Sequence, residues 1–341
     1  MMQRQDNRFD ELRLIASLLV LFGHAFALSG HAELDPLFQV LPFTRLGDVG
    51  VSVFFVLSGY LVAQSLQRNP DVVRFLWRRA VRIYPALWIV VMLCAAVLGP
   101  ALTTVSIGDY WKSSVTQDYF LNASAYWMRA LLPGVFESNP WPAAVNGSLW
   151  SLPYELSCYL LLAGLALFPG QLRAKVLACF LGFTCLWAWH LQTSAMPSKL
   201  ASIGFDGFHA KLGATFFLGA VISLYRPWLQ PTLKSSALAI ICIALLDAGP
   251  LRTLVFQFAV PWFAVTLANS NRMLPPLPEK MGDWSYGVYL YGFPVQQTLA
   301  YWGLHEQGVM AYIFWSMVCT LPLAAASWYL IEKPTLSRLR R

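Results

Sequence analysis

The chain has 341 residues, of which 57% are hydrophobic and only 12% charged, and its formal net charge is +7. Soluble domains carry about 25% charged residues, so the composition excludes a soluble enzyme, a disordered chain and a fibrous repeat. It predicts an integral membrane protein, in which each spanning helix takes roughly 20 apolar residues.

Apolar runs predict an all-α fold, a polytopic membrane helix bundle with about ten transmembrane helices. In chain order the predicted helices cover 11–29, 47–66, 83–99, 149–168, 175–191, 209–225, 235–249, 252–269, 284–303 and 308–331. Residues 1–341 are expected to form a single integral-membrane domain with an extracytoplasmic loop at about 100–148 and no fused soluble domain.

The distribution of positive charge predicts the orientation. With the N-terminus in the cytoplasm, roughly three quarters of the 24 Lys and Arg residues fall in cytoplasmic segments, as the positive-inside rule requires. Both termini are therefore expected to be cytoplasmic, and the positive charge needs no nucleic-acid partner.

The first apolar run is read as a retained membrane helix and not as a signal peptide. Asp6, Asp10 and Glu11 crowd the segment that precedes it, and His24 interrupts the run itself. A signal peptide has a basic first region followed by an uninterrupted apolar one.

Polar residues of this helix recur on one stripe. Asp10, Arg13, Ser17 and His24 are spaced by three, four and seven residues, which places them on one helical face. Such a stripe must face protein or water and not lipid. His24 either packs against a neighbouring helix or acts as a neutral imidazole, which can serve as a general base or a nucleophile.

A basic segment follows the second helix. Arg74, Arg78 and Arg82 lie four residues apart, Arg79 lies beside them, and Tyr84 follows. The arginines either anchor the chain against anionic lipid or bind phosphate groups in bidentate fashion. Their density favours a phosphorylated cytoplasmic ligand.

The loop at 100–148 is rich in aromatic residues, among them Trp111, Tyr126, Trp127 and Trp141. Aromatic residues near a membrane commonly anchor the interface. The alternative is a lid or a sugar-stacking surface over a site that opens outward.

The fourth predicted helix begins with Ser148 and Trp150 and carries Glu155. A carboxylate inside a membrane helix is costly without a partner. Glu155 either pairs with a structural arginine or lies level with His24, where it would orient the imidazole and stabilise its charged form. In the ninth helix Ser285, Tyr289 and Gly292 share a face, which alone is a weak signal.

Together these motifs resemble the integral-membrane acyltransferase-3 family, whose members O-acylate bacterial cell-surface carbohydrates and related acceptors. The resemblance extends from residue 9 to residue 334. Its elements are Phe9-Asp10-Glu-Leu-Arg13 with ten residues before His24, Val53-Phe-Phe-Val-Leu-Ser58-Gly-Tyr60, Arg78-Arg79 through Arg82-Ile-Tyr84-Pro85, Ser148-Leu-Trp150 through Glu155, Ser285-Tyr286 through Pro294, and Glu332-Lys-Pro334.

The resemblance implies a bundle of roughly ten helices that uses cytoplasmic acyl-CoA, most commonly acetyl-CoA. No metal is expected, because the remaining histidines are scattered and lack ligand spacing. It implies that His24 is catalytic with Arg13 as its motif partner, and that Arg78, Arg79 and Arg82 contact acyl-CoA. Many members have a His where this chain has Gly292, so any role of that His is absent here or is taken over by Tyr289 or Tyr291.

The resulting hypothesis is a multi-pass acyltransferase of the bacterial inner membrane that moves an acyl group to a hydroxyl of a polysaccharide, glycolipid or related acceptor. The alternatives are a transporter or flippase for a glycolipid or anionic solute, and an inactive lipid-binding protein. The predicted catalytic residues are His24, Glu155 and Arg13. The predicted acyl-CoA contacts are Arg78, Arg79, Arg82 and Tyr84, and the predicted acceptor contacts are Asp10, Ser148, Trp150, Ser285 and Tyr289.

Overall fold

The computed structural model describes residues 8–270 and 282–338. Within these ranges the chain is all-helical, and its one β-type pairing is an isolated bridge between Leu131 and Ala144. The predicted all-α class is therefore confirmed.

The helices are α1 (Phe9–Leu28), α2 (Pro36–Val40), α3 (Leu46–Arg68), α4 (Val72–Leu93), α5 (Gly99–Leu102), α6 (Ile107–Lys112), α7 (Ser114–Tyr119), α8 (Leu152–Leu167), α9 (Leu172–Thr193), α10 (Ser198–Ala201), α11 (Gly207–Leu224), α12 (Leu233–Leu245), α13 (Pro250–Ala268), α14 (Ser285–Tyr301), α15 (Val309–Ser327) and α16 (Lys333–Arg338). Turns of 3-10 helix cover Ala32–Leu34, Phe120–Ser124, Gly147–Ser151 and Leu304–Gln307, and π turns cover Cys94–Leu98 and Trp328–Glu332.

All ten predicted segments are helical, and eight of the helices described are long and apolar enough to cross a membrane. These eight are Phe9–Leu28, Leu46–Arg68, Val72–Leu102, Gly147–Leu167, Leu172–Thr193, Gly207–Leu224, Pro250–Ala268 and Val309–Arg338. The helices α12 and α14 are shorter, with 13 and 17 residues. The chain is a multi-pass membrane protein. The count of ten spans stays a prediction, and so do the sides of the termini, which lie outside the described residues.

The chain divides into two compact units, and the single-domain interpretation of residues 1–341 stays a prediction. The first unit contains Met1–Arg13, Val51–Leu76 and Ser157–Leu277. The second contains Leu14–Gly50, Trp77–Leu156 and Pro278–Arg341.

In the first unit, α11 is buried along most of its length. Two glycines let it approach α3 closely, because a Cβ atom at Gly59 would overlap the backbone of α11 and one at Gly219 would overlap the backbone of α3. The Gln257 amide of α13 donates to the Thr215 hydroxyl of α11 at 2.6 Å. Small residues and interhelical hydrogen bonds are the usual means by which membrane helices associate.

In the second unit, α14 is the buried helix. Its Gln296 amide donates to the Leu21 carbonyl of α1 at 2.8 Å, and the Tyr312 hydroxyl of α15 donates to the Gln296 carbonyl at 2.6 Å. Gly287 allows α15 to approach, since a Cβ atom there would lie 2.7 Å from the Cα atom of Ala324. These contacts fix α1 and α15 to α14.

The segment predicted as an outer loop, 100–148, folds back along α4 and the π turn that follows it. Near its start, the Tyr110 hydroxyl donates to the Ala95 carbonyl at 2.7 Å, and further on the Tyr84 hydroxyl of α4 donates to the Ser124 carbonyl at 3.0 Å. Burial raises the pKa of Tyr110 to about 12, so its phenol stays protonated and acts as a donor. Ala95 and Tyr84 are about 16 Å apart along a helix axis, so the segment follows the helix over three turns.

The helices α1 and α3 cross at two glycines of the second unit. A Cβ atom at Gly23 would lie 2.5 Å from the backbone nitrogen of Gly47, whereas a Cβ atom at Gly47 would meet nothing within 4 Å. An added methyl group would therefore clash with the neighbouring helix at Gly23 but not at Gly47.

We expect Gly23→Ala to lower the free energy of unfolding by about 1–3 kcal/mol, because the added methyl group overpacks the crossing. Gly47→Ala should be neutral or raise stability by up to about 1 kcal/mol, because alanine is the better helix former. Thermal unfolding of both variants in the same detergent tests this. Equal effects of the two changes would show that the crossing is looser than described.

Candidate active site

His24 lies on α1, four residues before the helix ends at Leu28. Its half-buried ring stands edge-on against Phe293 of α14, with ring centroids 5.2 Å apart and an interplanar angle of 81°. Among the described residues, the ring nitrogens of His24 have no hydrogen-bond partner. The imidazole is thus held by packing against Phe293.

Phe293 also contacts the turn that precedes α8. A Cβ atom at Gly147 would lie 2.6 Å from the Phe293 ring, so only glycine allows the turn to approach this closely. The Asn146 side chain donates to the Leu290 carbonyl at 3.0 Å and accepts from the Ser148 amide at 3.2 Å. The start of the Gly147–Ser151 turn is therefore attached to α14, and the Phe293 ring contacts both this turn and His24.

Tyr289 extends this contact. Its hydroxyl donates to the Ser148 carbonyl and lies 2.7 Å from the Ser151 Oγ. Tyr289, Ser148 and Ser151 are all buried. The structure thus brings together two of the predicted acceptor contacts, Ser148 and Tyr289, and adds Ser151 to them.

Glu155 lies in the first turn of α8 and is half-buried. Its carboxylate is within electrostatic range of Tyr286 and Tyr289 of α14. No described hydrogen bond joins it to His24, so the predicted pairing of these two side chains stays a prediction. Trp150 is half-buried, and its ring lies edge-on to Tyr154 with centroids 5.8 Å apart.

Arg82 is engaged by two carboxylates. Its guanidinium forms an ion pair with Asp283, and Glu332 approaches it to 4.0 Å. Asp283 also accepts a hydrogen bond from the Ser285 hydroxyl, and Glu332 accepts one from the Ser327 hydroxyl at 3.0 Å. Both carboxylates are buried. This ionic cluster joins α4 to the start of α14 and to the π turn that follows α15. The Ser285 hydroxyl is part of it, because it donates to Asp283.

The other residues of the basic segment lie on α4 as predicted. Arg78 and Arg79 are half-buried, and Arg74 is exposed. The Tyr84 hydroxyl donates to the Ser124 carbonyl. The acyl-CoA contacts assigned to Arg78, Arg79 and Tyr84 stay predictions.

Asp10 and Arg13 share α1 with His24, but they belong to the first unit, whereas His24 belongs to the second. Asp10 is exposed in the first turn of α1, and Arg13 is half-buried. Their predicted roles in acceptor binding and catalysis are not tested by these positions.

Gly292, where many members of the resembled family have a His, faces α1. A Cβ atom there would lie 2.8 Å from the end of the Leu21 side chain, one helical turn before His24. Leu21 therefore occupies the space into which a larger residue 292 would project.

Comparisons with known proteins assign the chain. A model of the acyltransferase-3 family, described as an acyltransferase domain, matches residues 6–329. The chain is 31% identical to an O-acetyl transferase of Shigella phage Sf6, over 98% of this chain and 97% of that protein. It is 29% identical to nodulation protein 10 of Rhizobium leguminosarum bv. viciae, over 97% and 93% of the two chains. It is also 27% identical to the exopolysaccharide production protein ExoZ of Rhizobium meliloti (strain 1021), over 86% and 91%.

The chain belongs to the acyltransferase-3 family. No solved structure is significantly similar to it. The family assignment confirms the resemblance, and it favours the acyltransferase over the transporter and the inactive lipid-binding protein.

Several residues that contact the candidate site were not predicted from the sequence. The sequence alone gives no role to Asp283 or Ser151, and it shows Phe293 only as part of the motif that ends at Pro294. Asp283 could have been found from the scarcity of charge, because a carboxylate next to a predicted membrane helix needs a positive partner. The contact between His24 and Phe293 has no local signal, since the two residues are far apart in the chain.

We expect Arg82→Gln to lower the free energy of unfolding by about 3–5 kcal/mol, because it leaves Asp283 and Glu332 buried without their cation. Adding Asp283→Asn should recover part of the loss, since the two positions share one interaction. Arg74→Gln, on the same helix but exposed, is the matched control and should change stability by less than about 0.5 kcal/mol. Thermal unfolding of the four proteins measures the coupling. Strictly additive losses would mean that Arg82 and Asp283 do not stabilise each other.

Proposed function

We propose that this acyltransferase moves an acetyl group from acetyl-CoA to a hydroxyl of a surface polysaccharide or glycolipid at the bacterial cytoplasmic membrane. The names of relatives that match nearly the whole chain support this reaction and this acceptor class. The observation that carries the proposal is His24, whose half-buried imidazole offers both nitrogens to a substrate in a protein of an acyltransferase family.

His24 acts as the general base. One ring nitrogen takes the proton of the acceptor hydroxyl while the oxygen attacks the thioester carbonyl. The carbon–sulfur bond breaks, the acyl group ends as an ester on the acceptor, and the CoA sulfur leaves with the proton that the imidazole returns. General-base assistance of this kind contributes roughly 10²–10⁴ in rate.

A second route passes the acyl group through His24 itself. The imidazole nitrogen attacks the thioester, CoA leaves, and the acceptor hydroxyl then takes the acyl group from the imidazole. The routes differ in an observable way, because only the second attaches label to the protein when acetyl-CoA is supplied without acceptor.

Arg78 and Arg79 bind the phosphates of acetyl-CoA, because half-buried guanidinium groups form strong bidentate contacts with phosphate. Arg82, grouped with them by the family resemblance, is already engaged by Asp283 and Glu332. We therefore assign Arg82 to holding α4 in place and not to direct phosphate contact.

The acceptor is bound on the side of the Gly147–Ser151 turn. Ser148, Ser151 and Tyr289 supply polar groups there, and Trp150 lies in the same turn. Exposed rings of the folded-back segment, Trp127 among them, provide flat surfaces against which a sugar can pack.

We expect His24→Gln to lower the rate of acetyl transfer by at least 10², the lower bound for the loss of a general base. The purified protein in lipid nanodiscs is supplied with radiolabelled acetyl-CoA and a crude cell-envelope carbohydrate extract. His31→Gln is the matched control, because His31 is an exposed histidine just beyond α1 and should leave the rate unchanged. Near wild-type transfer by His24→Gln would remove His24 from the reaction.

We expect Arg78→Gln to raise the KM for acetyl-CoA by about tenfold with little change in kcat, because the lost phosphate contact is present in both the ground state and the transition state. Steady-state kinetics at varied acetyl-CoA measure both constants, with Arg68→Gln as the control outside the segment. A fall in kcat at constant KM would contradict a binding role for Arg78.

A further inference from the structure

The backbone contact between α1 and α3 brings a carboxylate towards His24. Gly23, the residue before His24, touches Gly47, the residue before Asp48, with the hypothetical Cβ of Gly23 lying 2.5 Å from the Gly47 nitrogen. No side chain separates the two backbones at this point. Asp48 is half-buried and belongs to the second unit, as His24 does.

Two carboxylates lie near the start of α3, and both accept hydrogen bonds from the backbone there. Asp35 is fully buried and accepts from the backbone amides of Leu37, Phe38 and Leu46 at 2.9, 3.2 and 3.1 Å. It thus fixes both the start of α2 and the start of α3. Asp48 accepts from one backbone amide, that of Arg45, at 3.0 Å.

The charge of Asp48 reaches the imidazole. Its carboxylate lies within electrostatic range of His24. The ring that packs against His24, that of Phe293, is apolar and contributes no charge. A carboxylate near an imidazole stabilises the cation that forms when the ring accepts a proton.

We propose that Asp48 is a positioning residue that acts through His24, stabilising by its negative charge the imidazolium formed during acyl transfer. This inference rests on the proposed function. The sequence suggested Glu155 for this role, but the Glu155 carboxylate lies near tyrosines of α14. We assign the role to Asp48 instead.

The charge and the hydrogen bond of Asp48 can be separated by substitution. Asp48→Asn keeps an oxygen that accepts from the Arg45 amide, since asparagine serves such helix-terminal contacts as well as aspartate, but removes the charge. Asp48→Glu keeps the charge. Asp35→Asn is a matched control at the neighbouring carboxylate, where a structural role predicts a loss of stability.

The first test is steady-state acetyl transfer in nanodiscs. Asp48→Asn should lower kcat about tenfold, which corresponds to about 1.4 kcal/mol, with the KM for acetyl-CoA within twofold of wild type and an unchanged unfolding midpoint. Asp48→Glu should recover at least half of the lost kcat. Full kcat in Asp48→Asn, or equal losses in Asp48→Asn and Asp48→Glu, would overturn the proposal.

The second test does not depend on transfer. Diethyl pyrocarbonate modifies neutral imidazole, and mass spectrometry of the whole protein follows His24 and His31 separately. At pH 7, Asp48→Asn should lower the modification rate of His24 at least threefold, because an imidazole without the nearby negative charge is a weaker nucleophile, and should leave His31 unchanged, whereas Asp48→Glu should match wild type. An unchanged rate at His24 would overturn the link to Asp48. If wild type transfers no acetyl group but the rate changes as expected, the proposed function fails and the electrostatic link stands.

Discussion

Backbone that is not helical needs hydrogen-bond partners from the protein wherever water is absent, and in the second unit α14 supplies them. The Gln297 amide donates to the carbonyls of Trp141 and Ala144 at 2.9 and 2.7 Å. Without such donors, this irregular backbone could not lie beside membrane helices. The same helix carries Phe293, which packs against both the loop and His24. One helix therefore provides the hydrogen bonds of this loop and sets the distance between the loop and His24.

Charge imposes a second constraint. A chain with so few ionisable groups retains a buried cluster of one arginine and two carboxylates, although a buried ion pair repays its desolvation only in good geometry. Arg82, Asp283 and Glu332 join three separate stretches of the chain at one point. Since Arg78 and Arg79 precede Arg82 on the same helix, the cluster also fixes the orientation of the helical segment that carries these two arginines.

The sequence could predict the helices, because long apolar runs leave the chain no other structure in a membrane. It placed the start of the third helix too late: α4 begins at Val72, since arginines spaced four residues apart continue the helix although they lower its hydropathy. The sequence does not show which residues far apart in the chain are in contact. Arg82 and Asp283 are separated by 201 positions, and the Gly23–Gly47 contact depends on which of two glycines faces the neighbouring helix.

The resemblance identified His24 and the arginines as a set, whereas the structure shows that their surroundings differ. Arg82 is held by carboxylates, whereas His24 is packed against an aromatic ring and has no described hydrogen bond. Periodicity places residues on a face of a helix, but it does not say what lies opposite that face. For this reason the sequence does not show that the carboxylate near His24 is that of Asp48 and that Glu155 lies near tyrosines of α14.

The π turn at Cys94–Leu98 sets the rotation between the two helices that it joins, α4 and α5. A π turn contains one residue more than the α-helical turn it replaces, and one residue corresponds to about 100° of rotation around the axis. The extra residue therefore sets the phase between the arginine-bearing part of α4 and α5, against which Tyr110 packs. Losing that residue would turn the arginines away from their present neighbours while leaving every local sequence motif intact, so the fold depends on the length of this stretch as well as on its composition.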